Sequence, residues 1–150
     1  MRKLYNFFLK LTREHIILRK TDHLKIDSFK LNDGSLFIKK EKPKDFLFHR
    51  NGFYREVEAG KISLYAKHRK QKKQESSTIE LVRSYEEVVK YFFEIDGKLM
   101  EVPKKSKIFE TLGIAKKPAK KELKTLGLRY KKDRETYLKT LVNMSNNVQP

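Results

Sequence analysis

The sequence contains no cysteine and no tryptophan, and only six glycines and four prolines in 150 residues. Without cysteine the chain has no disulfide, no thiolate nucleophile and no cysteine-ligated zinc or iron–sulfur centre. The few glycines form neither a Walker-type loop nor a Gly-x-Gly-x-x-Gly loop, so both common phosphate-cradling motifs are missing. No apolar run reaches the roughly 20 residues that a membrane-spanning helix needs.

Positive charge is the strongest feature that is present. The chain has 36 Lys or Arg against 19 Asp or Glu, a formal net charge of +17. Hydrophobic residues still make up 38%, with ten Phe and seven Tyr, which predicts a folded domain rather than a disordered chain. Fourteen basic and five acidic residues lie in 98–139. Since 27 of the basic residues are Lys, the charge indicates attraction to anionic surfaces more than recognition of particular bases.

Short alternating apolar patterns predict an antiparallel β domain over residues 14–102. The turn sequences at 32–35, 51–52 and 96–97 contain Asn or Asp next to Gly, which favours tight hairpins. Strands joined by such short turns pair antiparallel, so we expect a meander of five or six strands. The polar stretch 69–77 has no periodicity and predicts an exposed, mobile basic loop.

After the β domain the apolar pattern changes to a helical period, which predicts a basic helical tail over 103–144 with two or three short helices. Ser106 and Asp133 are candidate N-caps, while Gly113 and Gly127 are placed to end helices. Because the strands come first and the helices follow, the sequence predicts an α+β fold.

The two ends of the sequence are expected to lie outside these elements. Residues 1–13 have apolar residues at helical spacing beside basic ones, so we expect an amphipathic segment that packs on the domain or lies on a membrane surface. Asn6 and Lys10 interrupt the apolar run and no small-residue cleavage site follows, which indicates that the segment is not removed as a signal peptide. Residues 145–150 are expected to fray.

No arrangement of residues predicts catalysis or metal binding. Glu56 and Glu58 share one face of a predicted strand, but basic neighbours favour a solvated strand face over an acid–base pair. The four histidines are isolated and form no His-Glu-x-x-His pattern: His15, His23, His49 and His68. We therefore expect a non-enzymatic protein with no catalytic residues, no metal ligands and no cofactor.

Basic residues of the tail are the candidates for binding an anion or a nucleic acid: Lys116, Lys117, Lys120, Lys121, Lys124, Arg129, Lys131 and Lys132. Segment 109–123 also resembles the core of a helix-turn-helix, in which the first four of these lysines would face a DNA groove. The segment departs from that motif at Ala115, which cannot cap a helix as Ser or Thr would, and at Pro118 in the first turn of the second helix.

Short segments spread over residues 14–144 carry a second likeness: Ile26-Asp27-Ser28-Phe29, Gly52-Phe53-Tyr54-Arg55, Gly60-Lys61-Ile62-Ser63-Leu64-Tyr65-Ala66-Lys67, Tyr91-Phe92-Phe93, Gly97-Lys98, Pro103-Lys104-Lys105, Lys121-Glu122-Leu123, Lys131-Lys132-Asp133, Leu138, Leu141 and Val142. In these the chain resembles uncharacterised Bacteroidetes proteins that have an antiparallel β region and a Lys-rich helical end. Such proteins are usually exported, so the resemblance implies the cell envelope or periplasm. A genuine start at Met1 implies the cytoplasm instead. The resemblance implies no catalytic residue and no known ligand.

Two functions are therefore expected from the sequence. The first is a non-enzymatic, envelope-associated binding or structural module, whose sheet presents Tyr54 and Tyr65 to an anionic surface or a protein partner. The second is a nucleic-acid-binding protein that uses the basic helical tail. Neither function fixes an oligomeric state.

Overall fold

The computed structural model describes residues 26–40, 52–76 and 81–147. In this part of the chain six strands precede three helices, which confirms the predicted α+β class. The strands are β1 (Ser28–Lys30), β2 (Leu36–Lys40), β3 (Gly52–Glu58), β4 (Ile62–Ser76), β5 (Leu81–Ile95) and β6 (Lys98–Glu101). The helices are α1 (Ile108–Thr111), α2 (Lys116–Thr125) and α3 (Arg134–Asn147). The strands form one antiparallel sheet whose spatial order follows the chain order, as a meander requires.

The chain divides into two compact units, one ending at Glu56 and the other beginning at Val57. In the first unit, β1 and β2 form a hairpin with Phe29 paired opposite Phe37. Their rings stack at 5.0 Å, and Phe53 meets the Phe29 ring edge-on at 4.9 Å. These aromatic contacts form the apolar centre of the described part of this unit.

The turn between β1 and β2 has the chemistry that its sequence predicts. Gly34 has a φ of +88°, a conformation that side chains disfavour. The Asp33 carboxylate accepts a hydrogen bond from the backbone N–H of Ser35 at 2.8 Å. This bond holds the pKa of Asp33 below its ordinary value. The hairpin is therefore defined by local residues.

In the second unit, β4 and β5 pair along 15 residues each, from Ile62 opposite Ile95 to Ser76 opposite Leu81. The predicted loop at 69–77 is wrong up to Ser76, where β4 ends. The physical reason is that the backbone hydrogen bonds of an antiparallel ladder do not depend on apolar side chains. A polar stretch can therefore extend a hairpin whose base is already paired.

The turn between β5 and β6 confirms the second predicted hairpin. Asp96 has a φ of +50° and Gly97 a φ of +74°, the two positive values that a type I′ turn needs. The short β6 then pairs with the end of β5, with Phe93 opposite Met100.

One apolar cluster joins the sheet to the three helices. Its members from the sheet side are Ile62, Leu64, Ala66, Tyr91, Phe93 and Val102, and those from the helical side are Ile108, Phe109, Leu112, Ala119, Leu123, Tyr137, Leu138, Leu141 and Val142. Most of the apolar residues that repeat at helical spacing in 103–144 are thus buried. Leu126, the C-cap of α2, is instead 55% exposed.

Glycines end the first two helices as the sequence predicts. Gly113 and Gly127 have φ values of +64° and +67°. The backbone N–H of Ile114 donates to the carbonyl of Phe109, and the N–H of Leu128 donates to that of Leu123, both at 3.0 Å. These bonds satisfy carbonyls that a helix end would leave without partners.

The predicted helix starts are only partly correct. Lys107 rather than Ser106 is the N-cap of α1, because the helix begins at Ile108. Asp133 immediately precedes α3 and its carbonyl accepts the first helical bond, from the N–H of Tyr137 at 2.8 Å. The Asp133 carboxylate accepts a bond from the N–H of Arg129 at 3.2 Å.

The expected fraying from residue 145 is also wrong, because α3 continues to Asn147. Ser145 Oγ donates to the carbonyl of Leu112 at 2.6 Å. The Asn146 amide bonds to both backbone groups of Ile62. These contacts to two other elements hold the last turn of α3 in place.

Gly52 of the predicted 51–52 turn begins β3 and pairs with Lys40 instead of lying in a turn. Other sequence predictions fall on residues outside the described ranges. They concern the segment 1–13, the early strands at 14–25 and 41–50, His15, His23 and His49. Among the described helices, none combines the length and the apolar composition that crossing a bilayer requires.

Candidate functional site

An open cleft of about 810 Å³ lies beside α2, between the loop that follows this helix and α3. Basic side chains line it, so we call it the basic cleft. Its six cationic residues are Lys105, Lys120, Lys124, Arg129, Lys131 and Lys132. None of the described residues that line the basic cleft is acidic. The cleft therefore attracts anions.

Local structure explains why these cations converge. Lys120 and Lys124 are four residues apart on α2, so they lie on the same side of the helix. Gly127 then ends the helix and lets the chain turn back. The N–H groups of Lys132 and Asp133 both donate to the carbonyl of Arg129, at 3.1 and 2.8 Å. This tight turn brings the loop cations to the side of α2.

The floor of the basic cleft is apolar and belongs to the core. Leu123 and Tyr137 line the cleft and are only 2% and 5% exposed. Leu128 and Tyr130 also line it, and both are half-buried and pack against the core cluster. The floor is therefore supported by the packed interior of the domain.

Aromatic rings and cations form a compact cluster at one end of the cleft. The rings of Tyr130 and Tyr137 meet edge-on, with centroids 5.3 Å apart. Lys105 Nζ lies 5.5 Å from the Tyr130 centroid and 5.8 Å from that of Tyr137. Arg134 Cζ lies 5.4 Å from the centroids of both Tyr130 and Tyr91. Such cation–π contacts fix the orientation of the rings.

The phenol of Tyr137 is neutral at physiological pH. Burial raises the pKa of Tyr137 above its ordinary value, and the neighbouring Tyr130 raises it further. The Tyr137 phenol therefore adds no negative charge that would neutralise the cations lining the cleft.

The structure divides the eight predicted basic residues into two groups. Five of them line the basic cleft: Lys120, Lys124, Arg129, Lys131 and Lys132. The other three, Lys116, Lys117 and Lys121, are exposed on α2 but do not line the cleft. The helix-turn-helix interpretation groups the lysines differently, and its first helix would be α1, which has only four residues.

Sequence reasoning missed three residues of the site. Lys105 was visible as part of a basic pair, but only the packing of the segment before α1 brings it to the cleft. Tyr130 and Tyr137 are not among the candidate binding residues that the sequence predicts. No spacing in the sequence indicates that the two rings meet.

The two tyrosines of the predicted partner surface do not lie on the surface. Tyr54 is 0% exposed and Tyr65 is 3% exposed. Tyr65 donates its hydroxyl to Glu94 Oε2 at 3.0 Å. Burial raises the pKa of Tyr54 to about 12. Tyr65 alternates with the core residues Leu64 and Ala66, so it lies on the other face of β4, yet neither tyrosine ring is open to a partner.

The acidic and histidine side chains in the part of the chain that the structure describes form no larger centre. Within the described ranges, no three His, Asp or Glu side chains gather as metal ligands would. His68 Nδ1 lies 2.7 Å from Glu87 Oε1 on an exposed part of the hairpin. Glu58 Oε2 pairs with Lys139 Nζ at 3.1 Å. These contacts each join a single acid to a single base, whereas the basic cleft gathers six cations.

Comparisons with protein-family models, with curated proteins and with solved structures find no match to this chain. The resemblance to the Bacteroidetes proteins stays a prediction, and the function is inferred from the basic cleft.

Proposed function

We propose that the protein is a non-enzymatic binding module and that it binds nucleic acid in the basic cleft. The observation that supports this proposal is the convergence of six cations on one concave surface, with no carboxylate among its described lining residues. A nucleic acid carries a phosphate at every nucleotide, so several cations can be neutralised by one ligand.

The kind of cation favours binding without sequence recognition. Five of the six cations in the cleft are lysines, and Arg129 is the sixth. Lysine acts as a compact point charge for phosphates, whereas arginine is the usual reader of base edges and the usual bidentate ligand. Contacts of this kind position a nucleic acid without reading its sequence. We therefore expect affinity that falls steeply with salt.

The shape of the site favours a chain-like ligand over an extended anionic surface. The cations line an open cleft, which a flexible strand can follow more closely than a flat layer of headgroups can. Burial of Tyr54 and Tyr65 also removes the surface on which the envelope-module hypothesis depended. An envelope location stays a prediction from the resemblance alone.

Two variants of equal charge test the proposal. The cleft variant carries the substitutions Lys120→Gln, Lys124→Gln and Lys131→Gln. The control variant carries Lys116→Gln, Lys117→Gln and Lys121→Gln. Each variant loses three positive charges, so a non-specific effect of net charge is the same in both.

Binding of a fluorescently labelled nucleic acid is measured by anisotropy between about 50 and 200 mM salt. We expect the cleft variant to bind more weakly, with the slope of log affinity against log salt reduced by about 2 to 3. The control variant should keep nearly the native slope. Equal losses in both variants would contradict the cleft as the site, and negligible binding of the native protein at low salt would refute nucleic-acid binding itself.

A further inference from the structure

We infer that the basic cleft selects single-stranded nucleic acid, with a base resting against its tyrosine and leucine floor. This inference rests on the proposed function and adds the class of substrate to it. Phosphate neutralisation alone would be served by lysines on any surface, including the exposed lysines of α2. The apolar floor inside the ring of cations is the feature that needs a different explanation.

The floor is suited to the face of a planar, weakly polar group. Leu123, Leu128, Tyr130 and Tyr137 line the cleft beneath the cations. Burying apolar surface there is favourable, and the same ligand can place its charged parts at the rim. A nucleotide has this division between an apolar base face and an anionic phosphate.

Tyr130 is the ring best placed to contact a base. It is half-buried, whereas Tyr137 is almost wholly covered. Lys105 and Arg134 lie over its ring, 5.5 and 5.4 Å from the ring centre, so a base that stacks on Tyr130 takes the place of one of these cations. The same two cations would lie near the phosphates that flank the bound base. Aromatic stacking of this kind tolerates any base, which agrees with the lysine-rich rim.

A double helix cannot use this floor. Its bases are stacked and paired inside the duplex, and its outer surface presents phosphates and sugars. A single strand can turn a base outwards into a concave site while its backbone follows the cations. The volume of the cleft, about 810 Å³, lies within the range of sites that enclose small ligands.

Three labelled ligands separate the contributions, and the two single strands among them carry the same number of phosphates. They are an oligothymidylate of about ten nucleotides, an abasic strand of the same length, and a duplex. With the full chain in low salt, we expect the oligothymidylate to bind about 5- to 140-fold more tightly than the abasic strand, the value of one stacked base. The duplex, whose bases are stacked away from the cleft, should bind more weakly than the oligothymidylate.

Two substitutions at Tyr130 complete the test. Tyr130→Leu keeps an apolar side chain but removes the ring, so it should abolish most of the preference for oligothymidylate over the abasic strand. Tyr130→Phe keeps the ring and should retain the preference.

The outcomes distinguish the inference from the proposed function. Equal affinity for the oligothymidylate and the abasic strand would overturn the inference while leaving phosphate binding intact, and so would a tighter complex with the duplex. Failure of all three ligands to bind at low salt would overturn both. The comparison of the first two ligands uses the native protein, so it remains decisive if the Tyr130→Leu variant does not fold.

Discussion

Asn146 near the end of α3 fastens this helix to the first residue of β4. Its side-chain Oδ1 accepts a hydrogen bond from the backbone N–H of Ile62 at 2.8 Å, and its Nδ2 donates to the carbonyl of Ile62 at 3.0 Å. The amide thus satisfies both backbone groups of a residue that is only 9% exposed. We predict that Asn146→Ala destabilises the protein more than an exposed substitution of the same kind.

The magnitude follows from the two bonds. A hydrogen bond contributes about 0.5–1.5 kcal/mol net, so the pair accounts for about 1–3 kcal/mol. Because Ile62 is nearly buried, its N–H and C=O would be left largely without water as a replacement. We therefore expect the upper part of the range, about 2–3 kcal/mol, in the free energy of unfolding.

Gly60 provides a second way to break the same contact. A Cβ added at Gly60 would overlap the Asn146 amide nitrogen and would lie 2.9 Å from its amide carbon. Gly60→Ala should therefore displace the Asn146 side chain and cost a similar free energy. The double variant should cost little more than either single variant, because both act on one contact.

Urea unfolding followed by circular dichroism measures these free energies. Asn147→Ala is the matched control, since Asn147 is an exposed neighbour in the same helical turn. An unfolding midpoint for Asn146→Ala equal to that of the control would refute the contribution of the two bonds. Strict additivity of Asn146→Ala and Gly60→Ala would show that the two residues do not act on one another.

Two further predictions concern the core and the tyrosines. Phe93 is fully buried in the core cluster, so Phe93→Ala should cost about 3–5 kcal/mol in the free energy of unfolding; an unchanged thermal midpoint would contradict the assigned face of β5. Burial raises the pKa of Tyr54 to about 12, whereas the pKa of an unfolded tyrosine is near 10. The neutral phenol therefore contributes stability that is complete below pH 10 and is lost as the pH rises towards about 12. Unfolding measured against pH should show this loss in the native protein and less of it in Tyr54→Phe.

The fold class could be predicted because its determinants are local. Gly34 and Gly97 mark hairpins through backbone angles that few other residues adopt, and Gly113 and Gly127 mark helix ends in the same way. Strand limits are less local. The segment 69–76 has no apolar alternation, yet it is strand because β5 lies opposite it and supplies the hydrogen bonds. The pattern of residues 69–76 gives no information about the strand that lies opposite them.

The sequence predicts the positive charge of the candidate site but not the position of the site in the fold. Lys120 and Lys124 are recognisable from the basic composition of α2, and so is Lys116, which lies outside the cleft. The turn at Gly127 and the position of Tyr130 over the core decide which of these lysines line the cleft. Tyr54 shows a different error, since it was expected on the surface and is buried. An aromatic residue in a polar strand can face either side of the sheet, and its burial depends on the whole sheet.

The contact between Asn146 and Ile62 spans 84 residues of sequence, and it has a consequence for synthesis on the ribosome. The apolar side of β4 is made well before the helix that covers it. At about 5–20 residues per second, the 84 residues take roughly 4–17 s to translate. Leu64, and Phe93 once it has been made, lack their helical cover during that interval, and the nascent chain exposes an apolar surface. Slow translation of the segment that encodes α3 should therefore increase binding of chaperones to the nascent chain, although the folded protein buries that surface.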